Sequence, residues 1–64
     1  NPAKPIYEAG VLKALHGKPY ASLEEISEIT KLEPTIVKET VAELLSRDLV
    51  REDEDDPGKF YAYD

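Results

Sequence analysis

From Pro34 onward the apolar residues Val37, Val41, Leu44, Leu45 and Leu49 return at three- and four-residue steps, and beyond Leu49 the period changes. The first stretch predicts an amphipathic helix opened by Pro34 and running to about Arg47 or Asp48. The second reads as strand, turn and strand. Leu49-Val50-Arg51 leads into the acid run Glu52 to Asp56, and Asp56-Pro57-Gly58-Lys59 has Pro and Gly at the second and third positions of a type II turn. Phe60-Tyr61-Ala62-Tyr63 is then a returning strand. A helix that feeds directly into a C-terminal hairpin restricts the fold to the α+β class and leaves the upstream residues to complete its core.

Those upstream residues also read as helices. Pro2 and Pro5 mark a lead-in, and Pro5 suits a first helical turn. A helix is predicted over about Ile6 to His16, with Val11, Leu12 and Leu15 as its stripe, Tyr7 and Ala14 flanking it, and Gly17 as its stop. His16 in the last turn is explained by the helix dipole. Lys18 to Ala21 is long enough only for a turn and one bridge of sheet. Ser22-Leu-Glu-Glu25 spells a capping box, so a short helix should start at Leu23, with Leu23, Ile26 and Ile29 or Thr30 facing the core. Lys31-Leu32-Glu33 is then a tight corner with Leu32 tucked inward.

At 64 residues the chain is expected to form one domain, spanning 1–64, and the Asn1 start with no Met anywhere suggests a fragment or accessory domain of a longer chain. There is no cysteine, which excludes disulfides, thiolate metal sites and thiol nucleophiles. No apolar run is long enough for a membrane span, and a cytoplasmic protein with no membrane partner is expected. Fourteen acidic against eight basic residues give a net charge of -6, which repels phosphate at long range.

The order of elements, helix, brief extended piece, capped helix, tight turn, longer helix and hairpin, resembles the winged helix-turn-helix superfamily. Ser22 to Thr30 looks like the first helix of the turn motif, Leu32 like its buried turn residue, and Pro34 to Arg47 like the recognition helix. Asp48-Leu-Val-Arg51 is similar to the Gly-Leu-Val-basic segment that begins the wing in many bacterial and archaeal transcription regulators, and Gly58 to Tyr63 to the returning wing strand. The C-terminal winged helix of archaeal minichromosome-maintenance helicases has the same character. Asp48 stands where those relatives have Gly, so this corner is expected to close differently. The resemblance implies a three-helix core with a C-terminal hairpin wing, mainly α, and a non-enzymatic role in transcription or replication. Phe60, Tyr61 and Tyr63 are expected to cover the open face of the third helix.

The residues offer little chemistry for catalysis. One His and three serines, Ser22, Ser27 and Ser46, at cap or helix-surface positions make no nucleophile, base and orienting set. The acid run resembles a calcium loop only in part: Pro57 occupies a ligand position and no Glu closes the loop. No cofactor or metal is expected.

The resemblance implies that the third helix and the wing, over 34–47 and 50–62, could read duplex DNA. Carried over, the presented residues are Thr35, Ile36, Lys38, Glu39, Ala42 and Glu43, with Lys31 and Lys38 on phosphates and Arg51 and Lys59 flanking the wing. No Arg for guanine and no Asn or Gln for adenine stands among them. Two or three phosphate contacts predict a salt slope of roughly -2 to -3, and the nearby acids Glu33, Glu39, Glu43 and 52–56 subtract from it. The alternative is protein docking, with Ile36 and Ala42 as outward apolar surface and the acidic wing steering a basic partner. The sequence favours docking, with duplex DNA bound weakly or as part of a larger assembly.

Overall fold

The computed structural model describes residues 4–63; Pro2 lies outside them. Three helices precede a two-stranded antiparallel sheet: α1 spans Pro5–His16, α2 Leu23–Thr30, α3 Pro34–Ser46, β1 Val50–Glu52 and β2 Phe60–Ala62. Each start is written locally. Pro5 and Pro34 open α1 and α3, where a missing N–H costs no helical bond. At α2 the capping box is complete, the Glu25 amide donating to Ser22 Oγ at 3.1 Å and the Ser22 amide to Glu25 Oε1 at 2.8 Å.

The helix exits carry more information than their residue types suggest. Gly17 follows α1 in the ordinary right-handed region at φ −85°, so the glycine stop uses no conformational freedom that another residue would lack. The left-handed positions are instead Lys31, at φ 65° after α2, and Asp48, at φ 64° after α3. At Asp48 the corner closes just as a glycine would close it, contrary to the expectation of a different geometry. The Asp48 amide donates to the Leu45 carbonyl at 3.1 Å and the Leu49 amide to the Leu44 carbonyl at 3.0 Å, the paired bonds of a Schellman motif. Aspartate is among the residues that tolerate this region best after glycine.

The core is built from all five elements. Val11, Leu15, Ala21, Ile26, Val37, Val41, Leu44, Val50 and Phe60 form one buried cluster, with Leu12, Leu23, Leu32, Leu45, Leu49 and Ala62 packed against it. Ile26 therefore carries the inward face of α2 together with Leu23, whereas Ile29 is half exposed. Thr40 is fully buried, a polar side chain inside the apolar stripe; its Oγ1 donates to the Ile36 carbonyl at 2.7 Å, so burial leaves no unpaired hydroxyl.

The strands pair Val50 with Ala62, Arg51 with Tyr61 and Glu52 with Phe60. A third strand is reduced to one residue: Ala21 and Phe60 exchange both backbone hydrogen bonds, at 3.0 and 2.8 Å. The period of two points Phe60 and Ala62 inward and the tyrosines outward. The expectation of three covering aromatics is thus corrected: Phe60 alone is buried, Tyr61 is half-buried and Tyr63 is exposed. Gly58 at φ 95° and the Lys59 amide bond to the Asp56 carbonyl at 3.2 Å close the hairpin turn as the Pro-Gly pair requires. The hairpin spans two helices, β2 packing on α1 and β1 on α3.

Candidate nucleic-acid and partner interface

The turn between α2 and α3 is held by hydroxyls. Ser27 Oγ donates to the Leu32 carbonyl at 2.6 Å, Thr30 Oγ1 donates to the Ile26 carbonyl at 2.7 Å, and the Leu32 amide donates back to Thr30 Oγ1 at 3.3 Å. These bonds satisfy the end of α2 and fix where α3 begins. Ser27, which the sequence placed on a helix surface, thus stitches the turn, and Ser46 Oγ donates to the Glu43 carbonyl at 2.7 Å.

With its start fixed, α3 presents Thr35, Lys38, Glu39 and Ala42, spaced three and four residues apart, on one exposed face. Glu43 and Ile36 are half-buried, at the edge between this face and the core. Ile36 therefore adds less outward apolar surface than a fully exposed isoleucine, and Ala42 adds only a methyl. Lys31 is exposed at the turn, and neither Lys31 nor Lys38 has an ion-pair partner among the described residues.

The hairpin cations are in a different state. Lys59 Nζ lies 3.2 Å from Glu25 Oε1, and Lys18 Nζ lies 3.1 Å from Glu25 Oε2, so one carboxylate holds two ammoniums. Together with the Ser22 amide, the largest influence, these groups lower the Glu25 carboxyl to about 2. Arg51 Nη2 lies 3.2 Å from Asp48 Oδ2, which raises the arginine above its ordinary value. Its guanidinium also sits 3.8 Å from the centre of the Tyr63 ring. The Arg51 Nε is buried without a hydrogen-bond partner, while the side chain as a whole is 43% exposed. On the adjoining surface Tyr20 meets Tyr61 edge to face at 5.5 Å.

The acid run is also partly committed. Glu52 Oε2 accepts from the Gly58 amide at 2.8 Å, bracing the turn from across the hairpin, and the Asp53 amide donates to the Lys59 carbonyl at 2.9 Å. Residues 54–56 are exposed. Among the described residues no three His, Cys, Asp or Glu side chains come together to hold a metal ion, and no helix is long and apolar enough to cross a membrane.

One feature of the surface is not legible in the sequence. A trough of about 680 Å³ runs between α1 and the end of α2, lined by Ile6, Tyr7, Gly10, Ala14, Ile29 and Leu32 with Lys13 and Lys18. Its walls come from separate helices, so no single stripe announces it. Ile6 lies off the stripe of its helix, and Ile29, which the sequence offered as a candidate for the core face of α2, is half exposed. No family model, curated protein or solved structure matches this chain.

Proposed function

We propose that this chain is a non-enzymatic winged-helix module of transcription or replication machinery that works by docking to protein rather than by tight autonomous binding of duplex DNA. The observation that carries this reading is the internal use of the hairpin cations: Lys59 is held by Glu25, and Arg51 by Asp48 and Tyr63. A wing that touches the DNA backbone needs such cations free. What remains for phosphate is Lys31 and Lys38, with Glu39 exposed on the same face as Lys38. Two phosphate contacts give a salt slope of about -2, far from the ~6 to 10 contacts of strong binders.

The second reading, a sequence-specific DNA-binding regulator domain, is favoured by Lys31, Thr35 and Lys38, which are exposed without ion-pair partners among the described residues. Titration of a labelled duplex by fluorescence anisotropy across ~20 to 200 mM salt separates the two. Docking predicts weak binding with a slope no steeper than about -2. Nanomolar saturable binding, with amide shifts at Thr35 to Lys38 and at Lys59, overturns it.

A further inference from the structure

We propose that the trough between α1 and α2 is a docking site for an acidic amphipathic segment of a partner protein. The inference rests on the docking reading above, but it places the surface in the trough instead of on α3 and the hairpin tip, and makes the segment bound there acidic where the sequence pointed to a basic partner.

The floor is apolar. Ile6 is 74% exposed and Ile29 50% exposed, the most exposed large aliphatic side chains among the described residues, and both line the trough with Ala14 and Leu32. Gly10 opens the wall further: a Cβ placed there would meet nothing within 4 Å. Apolar surface left open between two helices suits the apolar face of a third, with anchors three and four residues apart. Because Ile6 and Ile29 stand open to solvent, the site is a trough rather than an enclosed cavity, which fits a peptide better than a small ligand that must be surrounded.

Charge selects the partner. The chain carries a net charge of -6, yet the residues lining the trough include two lysines and no carboxylate. Lys13 is exposed and has no ion-pair partner among the described residues. Lys18 shares the single Glu25 carboxylate with Lys59, so this trio is left with a net positive charge. Lys4 does not line the trough, but its ammonium stands 5.9 Å from the centre of the ring of Tyr7, which does. A rim of this sign around an apolar floor attracts carboxylates and disfavours a basic helix.

A second copy of this chain fits less well. Two troughs face to face would bring lysines together, and the acid tip at 54–56 carries no apolar side chain to occupy the floor. The trough also takes no lining residue from α3 or the hairpin, so its occupancy is readable apart from DNA binding.

The test uses a synthetic amphipathic helix of about 14 residues, with Leu or Phe anchors three and four residues apart and Asp or Glu between them, titrated into the labelled 64-residue chain. A control peptide carries Lys in place of every acid. The expected result is saturable amide shifts at Gly10, Lys13, Ala14 and Ile29, with the control at least about tenfold weaker and the acidic peptide weakened by added salt. Lys13→Glu and Ile29→Ser should each reduce affinity about fivefold or more while circular dichroism stays unchanged. Absence of saturable shifts, equal binding of the basic control, or shifts centred on α3 or the hairpin overturns the proposal. So does a concentration-dependent shift of the same residues without peptide, which marks self-association. Tight duplex binding would defeat the docking reading instead, and would appear at Lys31 to Lys38.

Discussion

Lys59 and Glu25 stand 34 positions apart in the chain and meet at 3.2 Å, joining the foot of the returning strand to the capping box of α2. Glu25 thereby serves local and tertiary structure at once: it caps the helix through the Ser22 amide and holds Lys18 and Lys59. The pairing holds a hairpin cation whose side chain stays 36% exposed, and uses a carboxylate that the sequence alone explains by capping.

Stability should fall in acid as this carboxylate is neutralised. The folded-state value of Glu25 is lowered from 4.5 to about 2, so its contribution is fully present above about pH 4.5 and is lost as pH falls through the window down to about 2. Urea midpoints measured from pH 6 to 2 should decline most steeply within that window. Glu25→Gln, which retains a capping amide, should flatten the decline, and an unchanged profile in that variant would remove Glu25 as its source.

The left-handed corner after α3 predicts an order of stabilities at Asp48. Glycine has no Cβ to strain at φ 64°, so Asp48→Gly should gain about 0.5–1 kcal/mol even though it gives up the surface pair with Arg51. Asp48→Val, β-branched at positive φ, should lose about 1 kcal/mol or more. Thermal melts giving Gly above Asp above Val would match the Schellman geometry; Val equal to Asp would contradict it.

Within α3, truncation and polarity should have very different costs. Leu44 is fully buried, and Leu44→Ala should cost about 2–5 kcal/mol, comparable with the ~3–5 kcal/mol a domain this small commands. That variant should be largely unfolded by circular dichroism at room temperature. Thr40→Val keeps the shape and removes only a hydroxyl bonded within its own helix, so its melting midpoint should correspond to a change within about 1 kcal/mol.

What the sequence discloses here follows from how local each cause is. The capping box, the Pro34 start and the Pro57-Gly58 turn are decided within four residues, and the elements begin and end close to where those signals place them. The hydrophobic stripes locate Val11, Leu15, Ile26, Val37, Val41 and Leu44 in the core. Thr40 escapes such a reading because it is polar: it lies on the same stripe as Val37, Val41 and Leu44, and its hydroxyl is satisfied inside the helix by the Ile36 carbonyl. The state of Arg51 and Lys59 escapes it for a stronger reason. Asp48 is only three positions from Arg51 and meets it through the local corner, but Glu25 reaches Lys59, and Tyr63 reaches Arg51, only across the fold. The trough between α1 and α2 is likewise a property of two helices together.

Freeing the hairpin cations should therefore strengthen whatever binding to duplex DNA the domain has. Glu25→Gln leaves the α2 cap in place and releases Lys59, while Asp48→Asn keeps a residue tolerated at positive φ and releases Arg51 from its anion. Both changes remove an acid, moving the net charge from -6 to -4 in the double variant by the loss of two negative charges. With Lys31 and Lys38 already exposed, the number of cations able to reach phosphate rises from about two toward four, and the salt slope should steepen from about -2 toward -3 or -4. Lys59→Ala in the Glu25→Gln background should reverse part of that gain. In the otherwise unaltered chain the same Lys59→Ala should leave duplex affinity unchanged, because there the lysine is held by Glu25 rather than offered to a partner. Loss of duplex affinity on Lys59→Ala in the unaltered chain would mean that the ion pair opens on contact with DNA, and would return the hairpin to the DNA-reading surface.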